Sequence, residues 1–109
     1  MSKKTTKKKI DLFYDLDGNS ISLEEWKILF GGPASIIGND IVNGYEISTV
    51  YIGVNSSLST PPIIFETMVL DKYGTSYCER YSTKEQARDG HRKASTLALT
   101  WAKGDFEKS

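Results

Sequence analysis

The spacing of apolar positions along the chain changes period several times, and each change marks an element. Over residues 10–16, Leu12, Tyr14 and Leu16 alternate with their neighbours in the two-residue repeat of a short strand. Asp17-Gly18-Asn19 reads as a turn, because Gly and Asn accept positive φ at little cost. Ser22 stands three residues ahead of Glu25, the spacing at which each side chain can satisfy the other's backbone N–H, and Ile21 and Trp26 fall where a hydrophobic staple would place them. Leu23, Trp26, Leu29 and Phe30 then share one face of a short helix, which Gly31-Gly32-Pro33 stops.

The period returns to two in the centre of the chain. Strands are expected over residues 36–42 and 45–54, joined by Asn43-Gly44, whose two residues suit the positive φ values of a type I′ hairpin turn. The polar, Pro-containing stretch 55–62 separates these from a third strand over 63–71, since Pro61-Pro62 cannot donate to a ladder. Lys72-Tyr73-Gly74 turns the chain into a fourth strand over 75–81. Ser82-Thr83-Lys84-Glu85 repeats the capping pattern, and a helix follows to about residue 103, with Ala87, His91, Ala94, Leu97, Ala98 and Trp101 on one stripe and Gly104 beyond its end. The expected fold is therefore α+β: an antiparallel four- to five-stranded β-meander packed against a long C-terminal helix, with a short N-terminal helix. The segment at 10–16 is the candidate fifth strand.

Composition narrows the class. A chain of 109 residues holds one domain with a modest core, so oligomerisation is a natural supplement to its stability. Residues 10–104 are read as that domain, 1–9 as a disordered Lys-rich tail and 105–109 as a frayed end. No apolar run reaches the ~20 residues of a membrane span, and the lone Cys78 suits a reducing cytoplasm. Net charge is zero but unevenly placed. Setting aside Lys3, Lys4, Lys7, Lys8 and Lys9 leaves nine basic residues against fourteen acidic ones. The tail could touch nucleic-acid phosphates non-specifically, while the acidic domain behind it disfavours sequence-specific binding.

The candidate chemistry is sparse. Asp15-Leu16-Asp17-Gly18-Asn19 looks like the opening of a phosphatase-type or EF-hand motif, yet the chain lacks length for the first, and the second would need Gly at position six and Glu at twelve, where counting from Asp15 gives Ser20 and Trp26. It reads as a turn. His91 lies on the core-facing stripe, where a packed, hydrogen-bonded histidine is commoner than a general base. Cys78 has no adjacent base and reads as a small buried hydrophobe. Glu66 is the most informative residue, because a carboxylate inside Ile63-Ile64-Phe65-Glu66-Thr67-Met68-Val69 costs free energy unless it is paired or exposed. Arg80, Tyr51 or a ligand could pair it.

Several phrases resemble a family of small proteins from bacteriophages and actinobacteria: Tyr14-Asp15-Leu16-Asp17-Gly18-Asn19 with Ile21-Ser22-Leu23-Glu24-Glu25-Trp26, Ser48-Thr49-Val50-Tyr51-Ile52-Gly53, Ile64-Phe65-Glu66-Thr67-Met68-Val69, and Arg80-Tyr81-Ser82-Thr83-Lys84-Glu85-Gln86-Ala87 with Gly90-His91. The resemblance implies a phage-like origin and a compact fold, and it carries no reaction with it. Where the family pattern has Asp-His after the second meander strand, this chain has Asn55-Ser56, so a site on that histidine is not implied here. Such an origin points to a non-enzymatic accessory protein that binds a host partner or sequesters a nucleotide-like ligand, counteracting host defence. The ligand-binding set would be Arg80, Arg88 and Arg92 for an anion, Tyr51 and Tyr81 for stacking, with Glu66 and His91 beside them and no cofactor or metal. Two alternatives stand: a metal-dependent hydrolase or nuclease built on Glu66, Glu79 and His91, and a virion or DNA-associated protein using the Lys tail.

Overall fold

A computed structural model describes residues 11–106. Its elements follow the order helix α1 (Leu23–Leu29), a 3-10 turn (Pro33–Ser35), strands β1 (Ile36–Val42), β2 (Tyr45–Tyr51), β3 (Phe65–Asp71) and β4 (Gly74–Tyr81), and helix α2 (Lys84–Leu99). The strands form one antiparallel sheet in sequence order, β1-β2-β3-β4. The fold is thus α+β, a four-stranded meander with α2 packed across it. No helix among the described residues is long and apolar enough to cross a membrane. The expectations for residues 1–9 lie outside the described residues.

The β1–β2 turn is the one its sequence demands: Asn43 has φ 53° and Gly44 φ 79°. The expected fifth strand does not form. Only single bridges, Phe13 with Val54 and Tyr14 with Ser20, join residues 11–20 to their neighbours. The Asp15 carboxylate accepts the backbone N–H groups of Asp17 (3.0 Å) and Asn19 (2.8 Å), and this local alternative bends the chain just after Tyr14. Strand β2 also stops earlier than expected, at Tyr51, because the Ile64 carbonyl accepts from both Ile52 and Gly53 and breaks the ladder. Asn55, buried to 2% exposure, organises the loop beyond: its Oδ1 accepts from the Ser59 and Ile63 amides and its Nδ2–H donates to Ser59 O.

Alternation along the central strands decides what faces α2. Tyr45, Ile47, Thr49 and Tyr51 of β2, and Phe65, Thr67 and Val69 of β3, are buried beneath it. The helix meets them with Ala87, Gly90, Ala94 and Ala98, small residues that let its backbone approach the sheet. The apolar core falls into two clusters. One joins Tyr45, Ile47, Val69, Ala94 and Ala98; the other joins Tyr51, Ile64, Phe65 and Ala87, with Tyr14, Leu16, Trp26 and Leu29 packed against it. Thr49, Thr67 and His91 lie at the register positions between them.

Both helix starts are capped. Ser22 and Glu25 make the expected reciprocal box at α1. At α2 the box is shifted by one residue, with Thr83 and Gln86 as the pair, and the side-chain Oε1 of Gln86 accepts from the backbone amides of both Ser82 and Thr83. The helix ends at Leu99, several residues before the expected stop. There Asn43 Nδ2–H donates to Ala98 O (2.9 Å) and Trp101 O (3.0 Å), Tyr45 OH donates to Ala102 O, and the Gly104 and Phe106 amides donate to Asn43 O and Gly44 O. Gly104 and Phe106 are therefore tied to the β1–β2 turn, although fraying was expected from 105 on; residues 107–109 lie outside the described residues. A Cβ on Gly104 would lie 2.4 Å from Gly44 O, so the two backbones meet only as glycines.

Candidate functional site

Two polar constellations stand out, and the sheet separates them. The first faces α2. Thr49 and Thr67 are directly opposed on β2 and β3, and their hydroxyls lie 2.6 Å apart. From the helix, His91 places Nδ1 2.7 Å from Thr49 Oγ1, while its Nε2 is 2.6 Å from the Asp40 carboxylate of β1. Gly38 permits this seat: a Cβ there would come within 2.9–3.0 Å of the imidazole ring. Donor and acceptor inventories tie the polarity to the protonation of the ring. An ionised carboxylate only accepts, so Nε2 carries a proton toward Asp40; in a neutral ring Nδ1 must then accept from the Thr49 hydroxyl. Thr49 Oγ1 is left to accept from Thr67. With a neutral ring the chain of donation runs Thr67 to Thr49 to His91 to Asp40; with a charged ring Nδ1–H donates to Thr49, which then donates to Thr67.

Thr49 and Thr67 are fully buried, whereas the Asp40 side chain is largely exposed at the edge of the sheet. Next to Thr67 lies Tyr81, whose hydroxyl is buried without a hydrogen-bond partner among the described residues. Burial pushes its phenol above the ordinary range, opposed by the nearby Thr67 hydroxyl. The relay resembles an acid–histidine–hydroxyl arrangement in its order only. Both imidazole nitrogens are committed within the protein, and a threonine at zero exposure offers no path for a substrate. It joins α2 to three strands.

The second constellation lies on the opposite face. Glu66 alternates with Phe65 and Thr67 and so points away from α2, beside Val50 on β2 and Arg80 on β4. Its side chain is only 9% exposed, and Oε2 accepts from Arg80 Nε–H (2.9 Å) and from the Cys78 thiol (3.4 Å). Arg80, by contrast, has 55% of its side chain exposed. The Nε–H is spent on Glu66, and the donors of the terminal NH₂ groups are not used by that bond. Glu66 raises the Arg80 pKa further, through its hydrogen bond and charge. Partial burial, then Glu66, push the Cys78 thiol up against the opposing pull of Arg80. Cys78 is exposed on edge strand β4, which corrects the expectation of a small buried hydrophobe.

The candidate ligand-binding residues are therefore divided. Glu66 and Arg80 come together on the helix-free face. His91 lies across the sheet from them, linked through Thr49. Tyr51 is 1% exposed and its hydroxyl donates to Tyr14 O, while the Tyr81 hydroxyl is buried beside Gly90, so neither ring is presented for stacking. Arg88 and Arg92 are exposed on α2, with Arg92 paired to Asp89 one turn back. Glu79 has its own partner, the Tyr77 hydroxyl, whose pKa it helps push up to about 12. The carboxylates and histidine proposed for metal chemistry do not converge, and no group of three or more His, Cys, Asp or Glu poised to hold a metal occurs among the described residues. Asp40, Thr49 and Thr67 were not anticipated. The available signal was a threonine at a core-facing position in each central strand, which a helix-borne histidine could satisfy.

No family model, curated protein or solved structure matches the chain.

Proposed function

We propose that this chain is a non-enzymatic accessory protein of the bacteriophage type, which captures a phosphate-bearing, nucleotide-like ligand on the helix-free face of its sheet and so acts against host defence. The observation that supports the reading is the Glu66–Arg80 pair. A nearly buried carboxylate holds the Nε–H of a guanidinium whose side chain is more than half exposed, so one side chain is both tethered and open to solvent. Pre-orientation lowers the rotamer entropy lost when an anion binds. Phage origin enters through the resemblance of the sequence phrases. With Tyr51 and Tyr81 turned inward, recognition rests on the phosphate rather than on stacking against a base.

Native mass spectrometry of the protein after exposure to infected-cell extract tests this, since it reports retained small molecules and oligomeric state together. A bound nucleotide-like adduct is expected, reduced in Arg80→Lys, which keeps the charge and loses the fork, and absent in Arg80→Ala. Arg88→Ala, an exposed change on the other side of the molecule, should leave it intact. An adduct that survives Arg80→Ala overturns the proposal.

A further inference from the structure

Helix α1 carries an anomaly that the sheet-face reading does not use. Four of its seven residues are apolar, yet none is buried. Ile28 is 79% exposed, Leu23 40%, and Phe30, immediately after the helix, 47%. This is not a loose end of the chain. Trp26 pins the helix inward, with its indole N–H on Ile52 O (2.9 Å) and its ring against Phe13 and Phe30, and the Ser22–Glu25 box closes its start. A helix pinned in this way thus leaves large apolar side chains exposed on two of its sides, Leu23 bordering one cleft and Ile28 another, and such exposure marks a contact surface.

The surroundings indicate what fits there. Two clefts flank the helix, of about 460 Å³ and 260 Å³, and both are lined by Ile21 and Glu25. Asp11 borders the first cleft and Asp15 the second, and among the described residues neither is lined by a lysine or arginine. Over residues 11–30 the chain has five carboxylates, Asp11, Asp15, Asp17, Glu24 and Glu25, against Lys27 alone. A second copy docking through the same surface would set these carboxylates against their own kind, a costly juxtaposition. A cationic partner gains attraction from the same charges.

We infer that α1 and its flanking clefts dock an amphipathic segment of a partner protein, in which lysines or arginines are interleaved with large apolar residues at helical spacing. The apolar residues cover Leu23 and Ile28, and the cations meet the carboxylates along the rim.

The test uses the full chain and a fluorescent synthetic peptide of Leu and Lys in an amphipathic helical pattern, with a Leu/Glu peptide of the same pattern as control. Anisotropy should show binding of the Leu/Lys peptide alone, weakening as salt is raised. Ile28→Glu should weaken it about tenfold or more, although the change adds a negative charge that would by itself favour a cationic peptide. An unchanged unfolding temperature confirms the variant's fold, since Ile28 is exposed. Arg80→Ala should leave peptide binding unchanged, which separates this surface from the sheet face. Equal binding of both peptides, or indifference to Ile28→Glu, overturns the inference. So does sedimentation showing a dimer that Ile28→Glu dissolves, which would make a second copy the occupant.

Discussion

Replacing Thr49 by Val keeps the shape of a fully buried strand residue and deletes one oxygen. That oxygen has two partners, Thr67 Oγ1 at 2.6 Å and His91 Nδ1 at 2.7 Å. With it gone, the Thr67 hydroxyl and the imidazole Nδ1 each lose a hydrogen-bond partner. Each orphaned buried group costs ~1–3 kcal/mol, offset in part because a methyl is easier to bury than a hydroxyl, so Thr49→Val should lose about 2–4 kcal/mol. Thr67→Val is milder, about 0.5–1.5 kcal/mol, because Thr49 keeps its bond to His91. The double variant leaves only the imidazole unsatisfied, so its cost should fall at least ~1 kcal/mol below the sum of the singles. Against a total stability of ~5–15 kcal/mol, Thr49→Val removes a large share and lowers the melting temperature by about 10–25 °C. Urea titration followed by circular dichroism measures all three, with constant m-values confirming that stability alone has changed. Strict additivity, or a Thr49→Val cost below ~0.5 kcal/mol, would refute the relay as a connected structure.

Three further outcomes follow from other contacts. Cys78 should react with iodoacetamide more slowly than a free thiol despite its exposure, faster in Glu66→Gln and slower still in Arg80→Ala, because Glu66 raises the thiol pKa and Arg80 lowers it; equal rates in all three proteins would remove the coupling. Burial raises the phenol pKa of both Tyr51 and Tyr81 in the fold. The unfolded chain therefore binds fewer protons once pH passes the unfolded value of ~10. Stability present below that value should decline as pH rises through the folded values, with a shallower decline in Tyr51→Phe; a urea midpoint that does not move between neutral and strongly alkaline pH contradicts this. Gly90→Ala should destabilise the protein by about 1–3 kcal/mol even though Ala favours a helix by ~1 kcal/mol, because the added Cβ would sit 2.1 Å from the Tyr81 hydroxyl and 2.2 Å from its ring; a gain in melting temperature would show that Tyr81 yields without cost.

The parts of the fold legible in sequence are those fixed by neighbours in sequence. Asn43-Gly44 can scarcely be anything but the turn it is, and Ser22 with Glu25 forms its box within four residues. Where two local solutions compete, sequence cannot choose. Ser82 precedes Glu85, and Thr83 precedes Gln86, at the same spacing, and the structure uses the second pair. The strand expected over residues 10–16 lost to the Asp15 side chain, a rival for the same backbone amides. Glu66 was singled out by its cost in an apolar run, and its partner Arg80 followed from the next strand. That run is apolar on both faces, so nothing in its pattern tells which side Glu66 takes. Its separation from His91 emerges only once β2–β3 register puts Thr67, not Glu66, opposite Thr49. Asp40 reaches His91 across 51 residues of chain, beyond any local signal.

The union of the β1–β2 turn with the end of α2 bears on the order in which the chain can fold. Asn43 reads as a hairpin residue, and the β1–β2 hairpin is local enough to form on its own in microseconds. Yet the same side chain supplies the donor for Ala98 O in the last turn of α2 and for Trp101 O just beyond it, over separations of 55 and 58 residues. On a ribosome, β1 and β2 emerge with this bond unmade and wait for residues 98–106, so the seam closes only when almost the whole domain is outside the tunnel. The loop it closes costs chain entropy that grows only slowly with length, which makes a late, long-range seam tolerable once the sheet has brought its ends together. A nascent chain stopped before residue 98 should therefore hold its hairpin loosely, because the acceptors of the Asn43 amide are not yet made.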